Sequence, residues 1–202
     1  MSTVTLSLKM RCRFLINHFA SFALCLLILP ESEIFSYGQT TSDSGKEYSW
    51  KIVITPQNEP GEPLVVSGTF YGSDGVTPLP GVLIYVYHTD AEGYYRKGSN
   101  SSSNPRLKGW MKTNAEGKYE FRTIKPGSYP GSRNPAHIHI KVTAPGKPEQ
   151  WVDEFHFAGD PFLDEREVKR EVAKERFSLV MSMQRGADGV IRCVRDFKLE
   201  TK

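Results

Sequence analysis

The chain has 202 residues, enough for one domain with a substantial core, and aromatic residues make up 11% of it. Its formal net charge is only +3, and its lysines and arginines are scattered among acidic residues, so no basic stripe supports nucleic-acid binding. The mixed composition, with many glycines and prolines, is that of a globular protein rather than a disordered one.

The N-terminal segment has the pattern of a targeting signal. Basic residues precede a largely apolar run over 14–30, and small residues at Ser36 and Gly38 suit cleavage before Gln39. A membrane anchor is the alternative, but about 17 residues with polar interruptions is at the short limit for a span. We therefore predict that residues 1–38 are a signal peptide. The protein is expected to be exported to the periplasm, the cell surface or the extracellular space, without a stable membrane span after processing.

Cysteine usage adds a constraint on how the exported protein is held together. Two of the three cysteines, Cys12 and Cys25, lie in the predicted signal peptide, and only Cys193 remains after cleavage. An internal disulfide is therefore excluded in the mature chain, even in an oxidising compartment. We expect its stability to come from the hydrophobic core, from a metal, or from both.

The rest of the chain has the pattern of a β-protein. Residues 39–48 are predicted to be a flexible lead-in, and residues 49–202 a single catalytic domain. In that domain apolar and polar residues alternate with a period of two, and Gly-, Asn- and Asp-containing turns separate the runs. Many short strands at this spacing predict an all-β, antiparallel β-sandwich, with a surface turn or short helix over 164–176. The predicted strands cover residues 49–55, 64–71, 82–88, 108–113, 118–123, 136–143, 151–157, 178–184 and 190–199.

One predicted strand contains two histidines separated by one residue. Because alternate side chains of a strand share a face, His137 and His139 point the same way, while Ile138 points the other way. A lone pair of this kind is more often exposed, or satisfied within the core, than a metal site. The other two histidines that remain after export, His88 and His156, are predicted to be structural.

Two tyrosines change the balance for this histidine pair. Pro130 biases Tyr129 towards an extended backbone just upstream of the strand, and Tyr95 follows a tight turn. A phenol with a pKa of about 10 is normally a poor ligand, but a hard trivalent cation can remove its proton. Two imidazoles and two phenolates suit iron(III), and suit zinc or calcium much less.

Six short stretches between residues 68 and 161 occur in an order and at a spacing typical of one enzyme family; they are 80–82, 90–95, 113–119, 121–130, 135–139 and 157–161. Together they resemble the catalytic domain of the intradiol ring-cleavage dioxygenases, the catechol and protocatechuate 3,4-type enzymes, which have a prealbumin-like β-sandwich. The set is highly specific, although no single stretch is. The resemblance implies that iron(III) is held by Tyr95 and His137 as equatorial ligands and by Tyr129 and His139 as axial ligands.

The resemblance also implies a reaction. A catechol-type small molecule would bind the iron as a dianion and displace Tyr129, which would take a substrate proton as a base. With O2 the ring would open between the two hydroxyl-bearing carbons to give a muconate-type diacid. The protein would position the substrate and stabilise charge. The expected partners are therefore a catechol and O2, with no nucleic acid, and an oligomer stays possible.

Two positions depart from the family pattern. Asn134 occupies the place, three residues before the first ligand histidine, where the family usually has an arginine. Arg133 is adjacent, but a one-residue offset in an extended segment points the other way. Glu154 occupies a place where the family often has a glutamine. Asn134 and Glu154 are expected to border the substrate, and we predict Tyr129, Arg133, Asn134 and Glu154 to carry the catalytic and substrate-handling roles.

Two other classes of protein share parts of this pattern. A non-catalytic β-sandwich of the transthyretin or carboxypeptidase-regulatory type, which binds carbohydrate or protein, also contains runs like those at 77–81 and 114–121. Such a module has no reason to carry two tyrosines and two histidines together. A cupin-type metalloenzyme would need a carboxylate a few residues after His139, and residues 141–148 contain none.

Overall fold

A computed structural model of the chain describes residues 46–200. The predicted signal peptide and most of the predicted lead-in lie outside these residues, so cleavage and export stay predictions. Residues 46–49 have no regular secondary structure. Among the described residues, no helix has both the length and the apolar character needed to cross a membrane.

The described residues form eleven strands and one short helix. In chain order they are β1 (Lys51–Val53), β2 (Pro63–Tyr71), β3 (Leu83–His88), β4 (Leu107–Lys112), β5 (Lys118–Ile124), β6 (His137–Thr143), β7 (Gln150–Phe157), α1 (Glu165–Val172), β8 (Val180–Met181), β9 (Gln184–Arg185), β10 (Ile191–Val194) and β11 (Phe197–Lys198). One sheet has the order β1-β5-β2-β10-β9, with β11 also pairing with β2, and the other has the order β4-β3-β6-β7-β8.

The predicted β-sandwich is confirmed, but its two sheets are mixed rather than wholly antiparallel. The central pairings β2–β5, β3–β4, β3–β6 and β6–β7 are antiparallel. The pairings β1–β5, β10–β2, β11–β2 and β7–β8 are parallel. Parallel neighbours need a long connection, and the segment that contains α1 supplies one between β7 and β8. The sequence pattern gives strand positions but carries no signal for strand direction across such a connection.

The ends of several elements differ from the predicted ranges. The predicted strand over 178–184 splits into β8 and β9, and the one over 190–199 splits into β10 and β11. The second break occurs at Arg195 and Asp196, where the Asp196 carboxylate accepts from the backbone N–H of Thr69 at 2.8 Å. The predicted surface turn or short helix over 164–176 is a helix over Glu165–Val172, which Asp164 caps at its start by accepting from two backbone N–H groups of the first turn.

The core between the two sheets fixes which face of β6 is left for function. Ile138 and Ile140 are fully buried in the core, together with Phe121 from the opposite sheet. Because side chains alternate along a strand, this burial turns His137 and His139 to the outer face. The sandwich therefore presents both imidazoles on one side of the β4-β3-β6-β7-β8 sheet.

Candidate metal centre

Four side chains converge on one point beside β6. The Tyr95 Oη lies 2.5 Å from the Tyr129 Oη and 2.7 Å from the His139 Nε2. The His137 Nε2 lies 3.0 Å from the Tyr129 Oη and 3.1 Å from the His139 Nε2. The structure therefore brings together all four residues that the sequence predicted as ligands, and their donor atoms form a closed ring.

The outer nitrogen of each histidine has a partner that sets the position of the ring proton. The His137 Nδ1 lies 2.7 Å from the carbonyl oxygen of Pro135, and the His139 Nδ1 lies 3.1 Å from a carboxylate oxygen of Glu154. Carbonyl and carboxylate oxygens accept hydrogen bonds, so each neutral ring carries its proton on Nδ1. Each Nε2 consequently presents a lone pair to the centre of the ring of donors.

The four donor atoms fit a metal ion better than they fit one another. Two phenol protons are the only ones available for the four contacts of the ring, so at least two contacts bring lone pairs face to face. First-row metal ions bind nitrogen and oxygen at about 2.0–2.2 Å, so neighbouring donors on one ion lie roughly 3 Å apart. The separations and the shortage of protons both suit a single central cation.

A tight turn after β3 positions Tyr95. The Asp90 carboxylate accepts from the backbone N–H groups of Glu92 and Tyr94, at 3.1 and 2.9 Å, which closes the turn. The backbone of Tyr95 is then fixed on both sides: its N–H donates to the Ser99 carbonyl at 3.0 Å, and its carbonyl accepts from Arg106 at 2.8 Å. Hydrogen bonds to its backbone therefore fix the position of Tyr95, which lies outside the regular strands.

A second loop, which carries Tyr129, packs directly on the turn that precedes Tyr95. The Gly127 N–H donates to the Asp90 carbonyl at 2.8 Å, and the Thr89 hydroxyl donates to the Gly127 carbonyl at 2.8 Å. Gly93 lies so close that a side chain there would meet the Ser128 carbonyl oxygen at 1.9 Å. Backbone packing between the two loops therefore sets the separation of the two phenols.

Burial favours the uncharged forms of Tyr95, Tyr129 and His137. Burial is the main cause that raises the pKa of the Tyr95 phenol, and the hydrogen bond with Tyr129 raises it further. Burial also raises the pKa of Tyr129 and lowers that of His137. Neutral imidazoles are the form that binds metals, and only a strongly positive neighbour would turn the buried phenols into phenolates.

Aromatic residues of the same sheet surround the centre, and the sequence analysis did not assign them to it. The Tyr87 ring stacks on the His139 ring with centroids 4.7 Å apart, and burial raises the pKa of Tyr87 to about 12. The Trp151 ring packs edge-on 6.1 Å from His139 and is 58% exposed. Tyr87 is the cross-strand partner of His139 in the β3–β6 pair, and the sequence pattern does not give that register.

The three predicted substrate-handling residues beside Tyr129 occupy different places. Glu154 contacts His139 through the ring nitrogen that faces away from the other donors. Arg133 is exposed and lies over the Phe162 ring, 5.6 Å from its centroid. Asn134 is exposed, and its backbone N–H donates to the Ser132 hydroxyl at 3.0 Å. Within the described part of the chain, neither Arg133 nor Asn134 is hydrogen-bonded to the four donors, and their substrate roles stay predictions.

A different metal-binding set can be drawn from the same neighbourhood. His137, His139 and Glu154 have ligand atoms within 4.8 Å of one another. Glu154, however, is bonded to Nδ1 of His139, whereas the Nε2 atoms point towards the two tyrosines. The set of two tyrosines and two histidines therefore shares one centre, and Glu154 lies behind it.

The two other histidines among residues 46–200, His88 and His156, do not join the ring of donors. His88 is fully buried, and its Nε2 lies 2.6 Å from the Thr123 hydroxyl. Burial lowers the pKa of His88 to about 4, which keeps it neutral. His156 is the cross-strand partner of His137, with ring centroids 6.2 Å apart. His156 therefore provides a useful control for experiments on the centre.

Comparison with known sequences gives consistent matches. A family model described as Dioxygenase matches residues 37–200. Catechol 1,2-dioxygenase 1 of Acinetobacter lwoffii is 32% identical over 152 residues, which are 66% of this chain and 46% of that protein. The beta chain of protocatechuate 3,4-dioxygenase of Burkholderia cepacia is 32% identical over 113 residues, 51% of this chain and 48% of that one. The chain thus spans about half the length of these curated relatives.

Comparison with solved structures gives a match over nearly the whole of another domain. It is the dioxygenase domain of a dioxygenase and carbohydrate-binding protein fusion from the cellulolytic bacterium Streptomyces sp. SirexAA-E. That domain is 30% identical with a TM-score of 0.57, and the match covers 81% of this chain and 99% of that domain. Sequence and fold therefore both place the chain with dioxygenases rather than with non-catalytic sandwich modules.

Proposed function

We propose that this chain is an iron(III)-dependent enzyme acting on a catechol-type aromatic. The proposal proceeds from its family: the chain belongs to the intradiol ring-cleavage dioxygenases, as its sequence predicted. The ring would be cleaved between its two hydroxyl-bearing carbons, with both atoms of O2 incorporated, to give a muconate-type diacid. Bound iron(III) would supply a Lewis acid that accepts the catecholate and withdraws electron density from it.

The observation that carries this proposal is the closed ring of donor atoms. Tyr95, Tyr129, His137 and His139 place two phenol oxygens and two imidazole nitrogens at neighbouring separations of 2.5–3.1 Å. Once they have lost their protons, the two phenol oxygens are hard, anionic donors, which suit a trivalent ion. The set would hold one iron per chain.

The two tyrosines differ in a way that suits different roles. Tyr95 is 2% exposed and its backbone is bonded on both sides, so it suits a permanent ligand. Tyr129 is only half-buried and lies in a loop without regular secondary structure. We assign Tyr129 the role of the ligand that leaves when the substrate binds and whose phenolate oxygen then takes a substrate proton.

Metal content and colour test the proposed centre. Protein loaded with iron under anaerobic conditions and then reoxidised should hold about one iron per chain and be reddish, because tyrosinate-to-iron(III) charge transfer absorbs visible light. Tyr129→Phe should change the colour and keep part of the metal, whereas His137→Ala should lose most of it. His156→Ala is the matched control, since it removes a neighbouring imidazole on the same strand pair, and it should keep both iron and colour.

Turnover tests the proposed reaction. A panel of catechols should be screened by oxygen uptake with the iron-loaded protein, and the product should be identified as a ring-opened diacid by mass spectrometry. Uptake of one O2 per ring opened, with both oxygen atoms in the product, is the expected result. Protein that stays colourless after loading, or coloured protein that opens no catechol ring, would contradict the assignment.

We also propose that the enzyme works outside the cytoplasm. The support is the basic segment and the apolar run over 14–30, followed by small residues before Gln39. A mature domain whose only cysteine is the buried Cys193 would form no internal disulfide in such a compartment.

A further inference from the structure

Glu154 lies beside the ring of four donor atoms and contacts His139. One of its carboxylate oxygens lies 3.1 Å from the His139 Nδ1, on the side of the ring opposite to the other donors. The side chain of His139 is 17% exposed and that of Glu154 is 45% exposed. The carboxylate is thus in contact with one candidate ligand while its other side faces solvent.

Strand pairing between β6 and β7 places Glu154 opposite His139, next to an irregularity in the register. Along the β6–β7 pair, Ile138 is opposite Phe155 and Ile140 is opposite Val152, so the register shifts between them. Two residues of β7 therefore stand opposite the single residue His139. Such a bulge re-aims side chains, and bulges are common beside active sites. Glu154 continues the register of the pairs His137–His156 and Ile138–Phe155, so its carboxylate lies opposite the imidazole, and Asp153 is the extra residue.

A carboxylate at Nδ1 does two separable things to a metal-binding imidazole. As a hydrogen-bond acceptor it fixes the proton on Nδ1 and so leaves Nε2 free for the metal, which a neutral amide oxygen would also do. As an anion it also polarises the N–H bond and makes the ring a stronger electron donor, and a neutral amide would do this much less. A glutamine of the same length would separate the two effects.

We propose that Glu154 is a positioning residue that acts through His139, and that its negative charge makes the iron centre more electron-rich than a neutral partner would. The inference rests on the proposed iron centre. It predicts a property of the loaded protein, its colour and its reduction potential, that does not depend on which catechol is the substrate.

The test compares Glu154→Gln, Glu154→Ala and Glu149→Gln as purified, iron-loaded proteins. Glu149→Gln is the matched control, because it also removes one negative charge. The Glu149 carboxylate is exposed, lies next to β7, and pairs with Lys141 rather than with a candidate iron ligand. The measurements are the energy of the tyrosinate-to-iron charge-transfer band, the reduction potential, and the iron retained against a chelator.

Glu154→Gln should keep its iron, but its charge-transfer band should move to lower energy and its reduction potential should rise, since the iron(III) receives less electron density from His139. Glu154→Ala loses the acceptor as well, so its iron affinity should fall by about 10- to 100-fold. Glu149→Gln should match the wild type in all three measurements. If Glu154→Ala fails to fold, the Glu154→Gln comparison still decides the question.

Two results would overturn the inference while the proposed function stands. One is a Glu154→Gln protein with the band and potential of the wild type, which would mean that the charge is irrelevant. The other is a Glu154→Gln protein that loses iron as completely as His137→Ala, which would make Glu154 a ligand itself. A wild-type protein that remains colourless after loading would overturn the iron centre, and this inference with it.

Discussion

Replacing Gly93 by alanine should disrupt the iron centre without touching any donor. Gly93 has φ of +89°, and a Cβ added there would lie 1.9 Å from the carbonyl oxygen of Ser128. Gly93 lies two residues before Tyr95, and Ser128 lies one residue before Tyr129. The clash is therefore between the two loops that carry the tyrosine donors.

The size of the effect follows from these distances. Real Cβ contacts essentially never fall below 3.0 Å, so the backbones must separate by about 1 Å from the 1.9 Å contact. A displacement of that size at a reacting group typically costs about a hundredfold in rate. The positive φ adds a conformational cost of about 1–2 kcal/mol for a non-glycine residue. We expect Gly93→Ala to fold with reduced stability and to lose most of its iron and colour.

Gly131→Ala provides the control for this prediction. Gly131 has φ of +71° and lies two residues after Tyr129, but a Cβ there would meet nothing within 4 Å. The substitution therefore carries the same kind of backbone cost without separating the loops. Thermal unfolding, iron content and the charge-transfer band should be measured for both variants. A Gly93→Ala protein with wild-type iron and colour, or a Gly131→Ala protein that loses as much, would refute the reasoning.

Three further predictions concern other parts of the chain. Asn134→Arg should raise the turnover of simple catechols at unchanged iron content. A preorganised hydrogen-bond donor that stabilises negative charge in the transition state is worth roughly 2.7–4 kcal/mol, or about a hundred- to a thousandfold in rate. Lower activity with iron retained would contradict this prediction. Burial raises the pKa of the Cys193 thiol to about 11, so at pH 8 iodoacetamide should label it only after unfolding, as peptide mass spectrometry can show. Protein recovered after export should begin at Gln39, and an intact Met1 in that fraction would contradict the predicted cleavage.

The clustering of the two histidines was predictable because strand alternation is a local property. The residues between and after them, Ile138 and Ile140, are apolar, and their burial turns the imidazoles of His137 and His139 outwards whichever strand pairs alongside. The two tyrosines are different. Tyr95 and Tyr129 lie in loops, so their convergence with the histidines was expected from the family resemblance rather than derived from the pattern. The structure supplies the physical cause, which is the glycine-mediated packing of one loop on the other.

Strand direction and local register were beyond the sequence pattern. The predicted ranges for β2 to β7 agree with the structure to within one residue or so at each end, because each run alternates and is bounded by turn residues. The parallel pairing of β8, β10 and β11 depends on long-range connections, which leave no periodic signal in the sequence. The irregular register opposite His139 likewise depends on how β6 and β7 pair, and an isolated strand sequence does not encode it.

The two departures from the family pattern have different surroundings in the structure. From the sequence, Asn134 and Glu154 were both expected to border the substrate and to hinder the handling of its negative charge. In the structure, one Glu154 oxygen is bonded to His139 behind the donors, and Asn134 lies in an exposed loop whose backbone binds Ser132. If Glu154 acts on the iron and Asn134 on the substrate, the effects of Asn134→Arg and Glu154→Gln on kcat/KM should add to within about 0.5 kcal/mol. A larger coupling, measured in a double-mutant cycle at equal iron content, would show that the two positions share one electrostatic site after all.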